Sequence, residues 1–419
     1  MKATASTPTD AKGLPLKFSG YQKTVVAILA FLQFAVILDF MLMAPLGAVI
    51  MPTLGISPSQ FGLVVSAYAF SAGAAGLLIA GFADRYDRKK LLLFFYTGFV
   101  LGTVWCGLAQ SFETLLMARI ATGLFGGVIG SVVLAIATDL FAPQMRGRVM
   151  GVVQTAFAAS QVLGIPIGLY LSNQWSWHMP FLAMAALGLL GGLAVAWLMR
   201  PVADHLNQPQ EHSPWMHLFH TLAEPRYLLA FATTALVATG GFMLMPFSSA
   251  YTVSNLGISL DHLPTVYLIT GLCTIAFGPL IGKAADAFGQ LRVFMFGTAV
   301  TIVMVLVYTH LGPVSLAMVV VVNAVLFVGI FSRMIPFRAL MASVPVVSQR
   351  GSFNAISGSL QQLSGGIASV IAGHIVTIGS DGKLQHFDVA GYVVLGASVA
   401  AAILLWQLQR GIQSHALAA

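Results

Sequence analysis

Long runs of apolar residues alternate with short polar segments along almost the whole chain. A helix needs about 20 apolar residues to cross the hydrocarbon core of a membrane. By this measure the pattern predicts twelve membrane-spanning helices, called span 1 to span 12 here, with bounds 23–46, 61–82, 91–109, 115–138, 147–171, 179–198, 227–248, 262–282, 291–310, 315–337, 352–378 and 389–408. The runs are apolar on every side and lack the strict alternation of a membrane β-barrel. The predicted fold class is therefore an all-α membrane protein.

The composition supports this fold class and excludes several functions. Of the 419 residues, 58% are hydrophobic and 8% are charged, against about 25% charged in soluble proteins. Cys106 and Cys273 both lie in apolar runs, so the chain has no cysteine framework for a metal site. The longest polar segment, 199–226, is too short to fold as a catalytic domain. We therefore expect neither an enzyme nor a resident metal or cofactor.

The basic residues predict the orientation of the chain. Lys and Arg accumulate on the cytoplasmic side of membrane proteins, and seventeen of the twenty here lie in loops, tails or span ends on one predicted side, Lys89 and Lys90 among them. Lys383 lies on the other side, and Arg119 and Arg333 lie within spans. Both termini are thus expected in the cytoplasm, in a multi-pass protein of the bacterial inner (plasma) membrane. Because the net charge of +7 is a topology signal, we expect no nucleic-acid partner.

The two halves of the chain resemble each other at an offset of 202 to 204 residues. Four matches occur in the same order in both halves: Phe40–Met43 with Phe242–Met245, Leu54–Ser57 with Leu256–Ser259, Asp84 with Asp286, and Arg146 with Arg350. Such a repeat predicts two pseudo-symmetric six-helix halves with a binding site between them, near the middle of the membrane. A duplicated scaffold without transport activity is the alternative.

The spans divide the chain into five segments. These are a cytoplasmic tail (1–22), a six-helix bundle (23–198), a cytoplasmic linker (199–226), a second six-helix bundle (227–408) and a cytoplasmic tail (409–419). Within the linker, the stretch that starts at Ser213 has the pattern of an amphipathic helix lying on the membrane surface. An irregular linker is the alternative.

Three motifs resemble the major facilitator superfamily of membrane transporters. The loop 80–89 (AGFADRYDRK) resembles the family's signature loop between its second and third helices, and 282–289 (GKAADAFG) is its second copy. Arg119 followed by Gly123 resembles the arginine motif of proton-driven members. The segment Gly164–Gly168 (GIPIG) resembles the antiporter motif of sugar-efflux-like members of the drug:proton antiporter group, although it lacks the Gly-Pro dipeptide of the strict motif.

Asp39 is the only acidic residue well inside a predicted span. A carboxylate in a low-dielectric environment is driven toward its neutral form, and a nearby cation restores its charge. In the fold that the resemblance implies, spans 1 and 4 are neighbours, so Arg119 is the expected partner of Asp39. We expect the two residues to couple transport to protons. A permanent salt bridge that only joins the two helices is the alternative.

The resemblance also implies a role for the loop between spans 2 and 3. Asp84 is expected to accept hydrogen bonds from backbone N–H groups at the start of span 11, near Gly351, and to act as a conformational latch on the inner side. Arg85 or Arg88 is expected to reach Asp139 at the inner end of span 4. The alternative is that these charges set the topology and form a turn. This is the preferred interpretation for Lys89 and Lys90, which follow Arg88.

Small and polar residues within the spans give the remaining candidates. Gly164, Pro166 and Gly168 are expected to let another helix approach closely and to permit a kink. Arg333 is expected to extend to the membrane interface or to bind an anionic group. The candidates for the lining of a substrate cavity are Gln33, Met43, Tyr68, Gln154, Gln161, Met245, Tyr267, Asn354 and Gln361. Hydrogen bonding or packing between helices is the alternative for each of them.

Taken together, the motifs imply a secondary active transporter with alternating access. We expect it to export a small organic compound, drug-like, sugar-like or a metabolite, in exchange for protons, as a monomer in the lipid bilayer. A facilitator or importer on the same scaffold is one alternative. A lipid or amphiphile translocator is the other, since methionine and phenylalanine in the paired repeats could form an adaptable apolar lining.

Overall fold

The computed structural model describes residues 18–79, 83–207, 220–346 and 349–418, without the side chains of Asp84, Asn207 and 412–418. Most of the predicted amphipathic helix in the linker lies outside the described residues. The described part is almost entirely helical, and the helices follow the predicted spans closely.

The helices of the first half are Gly20–Leu42 and Gly47–Leu54 (span 1), Pro58–Ile79 (span 2), Arg88–Leu108 (span 3), Phe112–Leu140 (span 4), Pro143–Ala159 and Ile165–Gln174 (span 5), and Met179–Leu198 (span 6). Those of the second half are Pro225–Leu244 and Ser248–Ser254 (span 7), Leu263–Phe288 (span 8), Gln290–Thr309 (span 9), Leu316–Ser343 (span 10), Arg350–Ile375 (span 11) and Phe387–Ala418 (span 12). The described strands, Thr377–Ile378 and Leu384–Gln385, form a two-residue antiparallel ladder between spans 11 and 12. The apolar pattern did not reveal strands of this length.

Span 11 differs from the other spans in its hydropathy. Among the described residues, eleven spans are long and apolar enough to cross a membrane, and span 11 does not meet that measure. It has 26 residues, of which five are glycine, five are serine and three are asparagine or glutamine. Span 11 makes the most extensive helix–helix contact of the described chain, with span 2. A helix covered by protein in this way needs less apolar surface than one that faces lipid.

The first helix of each half is interrupted at a proline. Span 1 stops at Leu42 and restarts at Gly47, with Pro45 between them. Span 7 passes through a 3₁₀ turn, Met245–Phe247, around Pro246. Proline has no N–H and cannot continue the regular hydrogen bonding of an α-helix. The interruption therefore recurs at both copies of the Phe-Met-Leu-Met repeat.

The short helices that follow these interruptions join the two halves on the outer side. Gly47–Leu54 packs against Ser248–Ser254. The hydroxyl of Ser249 donates to the carbonyl oxygen of Ala44 at 3.0 Å, so the polar groups released at one break are satisfied by the other half. This contact joins the halves at the end predicted to face away from the cytoplasm.

Spans 5 and 8 approach each other in their outer halves. The Asn173 side chain donates to the Leu260 carbonyl oxygen at 2.8 Å, and a Cβ at Gly271 would lie 2.9 Å from Val162. At the opposite end both helices are exposed on several sides, at 151–152 and 154–155 in span 5 and at 275–277 and 279–280 in span 8. Spans 5 and 8 therefore join the two halves at the end that carries Asn173 and Leu260.

Spans 2 and 11 pack backbone against backbone. A Cβ at Gly62 would lie 2.7 Å from the carbonyl oxygen of Ser369, and one at Gly73 would lie 3.0 Å from that of Ser359. Neither position has room for a larger side chain. On the inner side, spans 2, 4 and 11 enclose a cavity of about 220 Å³ between the halves, and Asn354 is part of its lining.

Candidate functional site

Asp39 and Arg119 lie together inside the first half. Nη1 of Arg119 donates to Oδ2 of Asp39 at 2.7 Å, a length typical of a charge-assisted hydrogen bond. The side chains of Asp39 and Arg119 are 0% and 1% exposed. The hydroxyl of Thr103 lies 3.4 Å from the other carboxylate oxygen, Oδ1. Spans 1, 3 and 4 therefore meet at one buried pair of charges.

Two aromatic rings cover this ion pair. The guanidinium carbon of Arg119 is 4.5 Å from the centre of the Tyr68 ring, which is a cation–π contact. Phe40, next to Asp39 in the chain, lies 5.3 Å from the Tyr68 ring and 5.6 Å from the Phe242 ring of span 7. The ion pair is thus separated from the second half by aromatic side chains. Tyr68, a candidate for the cavity lining, is 2% exposed and covers Arg119 instead.

Gly123, the second residue of the arginine motif, allows span 2 to come this close. A Cβ at Gly123 would lie 2.8 Å from the Cα of Tyr68, so any other residue would push spans 2 and 4 apart. The glycine therefore places the Tyr68 ring against the guanidinium of Arg119.

The electrostatics of this pair depend on a single proton. Asp39 is the only acidic side chain among the buried polar residues of the described chain. While both groups are charged, each compensates the cost of desolvating the other. A proton on Asp39 would leave Arg119 as an uncompensated buried cation, and its Nε already has no hydrogen-bond partner. One proton would therefore change the energetics of this site substantially.

Span 5 changes its helical geometry near this site. Residues Ser160–Gly164 form a π-helical turn just before Pro166, which has no N–H to donate to the preceding turn. The hydroxyl of Ser160 donates to the Phe34 carbonyl oxygen in span 1 at 3.2 Å. π turns often mark functional positions in helices. Here the turn joins span 5 to the helix that carries Asp39.

The two glycines of the span 5 motif pack on the same helix. Cβ atoms at Gly164 and Gly168 would lie 2.5 Å and 2.6 Å from the side chains of Leu38 and Leu42. Leu38 directly precedes Asp39 in span 1. The motif therefore positions the carboxylate indirectly, by fixing the helix on either side of it.

Substitution of Gly164 by alanine is expected to lower stability by about 1–3 kcal/mol, because an extra methyl group would overpack this contact. Gly151→Ala is the matched control in the same span, since no atom lies within 4 Å of its Cβ position. Alanine is the better helix former, so the control should be neutral or slightly stabilising. Thermal unfolding of both purified variants in detergent measures the difference, and equal midpoints would contradict the tight contact.

The remaining candidates for the cavity lining differ in exposure. Asn354 lines the inner cavity, and Gln154 is exposed on the inner half of span 5. Met43 is fully buried in the outer core, so it lines no cavity in this conformation. The half-buried candidates are Gln33, Met245, Tyr267 and Gln361.

Two of the candidate glutamines have a buried side-chain oxygen without a partner. These atoms are Oε1 of Gln33 in span 1 and Oε1 of Gln161 in the π turn of span 5. Buried polar atoms are nearly always hydrogen-bonded. The oxygens of Gln33 and Gln161 are therefore the buried acceptors among the candidates that a substrate or water could bond.

Polar and charged side chains hold the loop between spans 2 and 3 against the end of span 4. Nε of Arg88 is 3.0 Å from Oδ2 of Asp139, and Nδ1 of His205 is 3.5 Å from the same oxygen. Arg85 is exposed. Of the two arginines expected to reach Asp139, the structure brings Arg88 to it. His205 comes from the linker, and sequence analysis gave no signal for it.

Asp87 and Lys89 have local structural roles. The Asp87 carboxylate accepts from the backbone N–H groups of Lys89 at 2.7 Å and Lys90 at 3.2 Å, so it caps span 3. Nζ of Lys89 donates to the carbonyl oxygens of Ala196 and Met199, both at 2.7 Å. The interpretation of Lys89 as a topology charge at a turn stays a prediction. Lys89 also caps the inner end of span 6.

The predicted latch involves a side chain outside the described residues, that of Asp84. Gly351 lies in the first turn of span 11 and is exposed. The contact between the two stays a prediction.

Thr103 and Ser160 contribute to the site and were not identified from the sequence. Each is one of several hydroxyl residues in an apolar run, and many such residues only bond their own helix. No signal in the chain distinguishes Thr103 from these residues.

A sequence model of the Major Facilitator Superfamily matches residues 29–332 and 230–418. The uncharacterized MFS-type transporter YceJ of Bacillus subtilis is 26% identical over 369 residues, which cover 87% of this chain and 91% of that protein. Multidrug resistance protein 3 of the same organism is 28% identical over 156 residues, 37% of this chain and 30% of that protein.

Solved structures show the same fold. The nucleoside transporter NupG superposes with a TM-score of 0.74 at 15% identity, covering 92% of this chain and 99% of that chain. A bacterial homologue of the human lysosomal transporter Spinster, in an inward-facing conformation, gives a TM-score of 0.67 at 17% identity over 94% of this chain and 96% of that chain. Since the family model covers most of the chain, the protein belongs to the Major Facilitator Superfamily and is a membrane transporter rather than an enzyme.

Proposed function

We propose that this transporter exports a small organic compound in exchange for protons, with Asp39 as the proton carrier and Arg119 as its partner. The observation that carries the proposal is the ion pair of 2.7 Å between them. It contains the one acidic side chain that is buried in the described spans. An ion pair at this depth is costly to maintain, which favours a functional role.

The proposed cycle follows from the charge of the pair in each state. In the inward-facing conformation Asp39 is ionised and Arg119 is compensated. After outward opening, Asp39 takes up a proton, and Arg119 loses its counter-charge while substrate is released. The halves then rock back, and Asp39 gives its proton to the cytoplasmic side as new substrate binds. Each turn moves one substrate out and one proton in.

The substrate class is inferred from the surroundings of the ion pair and from the relatives. Phe40 and Phe242 present apolar surface at the contact between the halves, and Gln33 and Gln161 offer free amide oxygens nearby in spans 1 and 5. A multidrug resistance protein is among the relatives, over about a third of this chain. These features favour a compound with an apolar body and a few polar groups.

The direction of proton movement tests the proposal. A compound that raises the unfolding temperature of the purified protein, found by screening, is added to proteoliposomes that contain a pH-sensitive dye. Antiport moves protons out as the compound enters, so the lumen should become more alkaline. Vesicles with Glu113→Gln should respond equally, since Glu113 is an acid at the outer start of span 4 and lies away from the ion pair.

The alternatives give different signals in the same vesicles. A proton-coupled importer would acidify the lumen, and a facilitator would carry the compound without any change in pH. Either result would contradict antiport. Protein-free vesicles establish the passive leak of the compound.

A further inference from the structure

Arg333 is the second arginine within the spans, and it does not extend to the membrane interface. Its side chain in span 10 is buried, with 5% of the residue exposed. Nη1 donates to the hydroxyl of Ser398 in span 12 at 3.0 Å. Nε and Nη2 are buried and have no partner. The guanidinium carbon lies 5.6 Å from the ring of Phe294 in span 9, so its surroundings are mostly apolar.

The second half offers this cation no counter-charge. The acidic residues of spans 7 to 12 lie at helix ends or in loops, at Asp261, Asp286, Asp381 and Asp388. In the first half, Asp39 is already paired with Arg119. Arg88, the third buried arginine, is paired with Asp139, so Arg333 is the buried arginine of the described spans that has no carboxylate partner. An unpaired cation at this depth is unfavourable, and such groups usually pair or mark a substrate pathway.

Two glycines in span 7 leave space beside Arg333. A Cβ at Gly240 would lie 3.9 Å from Nη1 of Arg333, and one at Gly241 would have no atom within 4 Å. At the offset of 202 residues, Gly241 corresponds to Asp39. The second half therefore has glycine at the position where the first half has its acidic side chain.

This space lies next to the contact between the halves. Phe331, two residues before Arg333, contacts Phe157 of span 5 with ring centroids 6.3 Å apart. Phe242, next to Gly241, contacts Phe40 of span 1. Spans 7 and 10 thus both contact the first half within two residues of Gly241 and Arg333, whereas the Arg333 side chain itself contacts spans 9 and 12.

We propose that Arg333 binds an anionic group, a carboxylate, of the transported molecule. A carboxylate can accept two parallel hydrogen bonds from a guanidinium, and Nε and Nη2, which form one edge of the fork, are the nitrogens without partners. Gly240 adds no side chain next to Nη1, and the Phe294 ring favours an aromatic or apolar body next to the charge. The proposal rests on the chain being a transporter and does not depend on the proton coupling of Asp39.

Binding to the purified full-length protein in detergent tests this assignment. The probes are benzoate, phenylacetate and cinnamate, each compared with its neutral amide at equal ionic strength set with sodium chloride. A ligand that binds only the folded state raises the unfolding midpoint, and we expect at least about 2 °C from one or more of the acids. The amides should give no comparable shift.

Variants assign the shift to Arg333. Arg333→Gln should remove it, and Arg333→Lys should keep the charge but lose most of the shift, because an ammonium lacks the fork. Arg338→Gln is the matched control, an exposed arginine in the same helix, and should respond like the unmodified protein. The lysine variant keeps the test decisive if the glutamine variant does not fold.

The proposal is overturned if no acid shifts the midpoint, if amides or added chloride shift it equally, or if the shift survives in Arg333→Gln. Asp39→Asn protein should still respond to the acids. If the acids do not shift the midpoint while proton exchange is intact, only the assignment of Arg333 is rejected. If the acids shift the midpoint but proton exchange is absent, only the proton coupling of Asp39 is rejected.

Discussion

Asp39→Asn is expected to reduce transport driven by a pH gradient to the level of protein-free vesicles. Asparagine has nearly the same shape, and its amide oxygen can still accept the hydrogen bond that Arg119 now donates at 2.7 Å. It cannot take up or release a proton. The variant should therefore be less stable, because Arg119 loses its counter-charge, and it should fail to accumulate substrate against a gradient. Uptake into proteoliposomes with and without an imposed pH difference measures the effect.

Exchange of labelled for unlabelled substrate gives the control in the same vesicles. This reaction needs alternating access but no net proton movement, so the Asp39→Asn variant should retain it. Glu113→Gln should behave like the unmodified protein in both assays. Undiminished gradient-driven uptake by Asp39→Asn would show that the ion pair is structural.

Arg119→Met is expected to destabilise the protein by about 3–5 kcal/mol, the usual cost of removing one partner of a buried ion pair. Methionine fills similar space but leaves the Asp39 carboxylate without its cation in a site where both residues are almost unexposed. The cation–π contact with Tyr68 is lost as well. Unfolding of the purified variant in detergent, followed by a fluorescence or circular dichroism signal, measures the loss.

The double variant Asp39→Asn/Arg119→Met should recover most of this stability. Without either charge the site contains no uncompensated ion, and replacement of a whole buried pair is often neutral. The two single variants and the double variant form a cycle whose coupling energy isolates the interaction. Additive losses would mean that the two side chains do not interact in the folded protein. They would leave the fold assignment unchanged.

The fold could be predicted because its signals are long and repeated. Each apolar run covers a whole helix, and Lys and Arg mark one side of the membrane. Span 11 shows the limit of this measure, since its glycines and serines reflect contact with span 2 rather than with lipid. The interruptions at Pro45 and Pro246 were visible as prolines, but the short helices after them depend on contacts between the halves.

The site could be predicted only where a residue is exceptional in its surroundings. Asp39 and Arg119 are charges in apolar runs, and such charges need partners, so the sequence singles them out. Tyr68, Thr103 and Ser160 are ordinary residues whose roles come from the crossing of helices. The role of Arg333 was ambiguous because its surroundings are formed by spans 7, 9 and 12. The sequence around Arg333 gives no indication of how these helices pack against it.

The contact at Gly62 has a consequence for the speed of transport. Interlocked side chains resist a change in the crossing angle of two helices because ridges must leave their grooves. At Gly62 span 2 meets the backbone of span 11 without such ridges, whereas at Gly73 the Leu363 side chain of span 11 fits against the glycine. The two bundles should therefore roll most easily about the Gly62 end of this contact. The slower steps of rocking should then be the movement of Leu363 away from Gly73 and the parting of Gly47–Leu54 from Ser248–Ser254, and shortening or loosening those two helices would accelerate turnover.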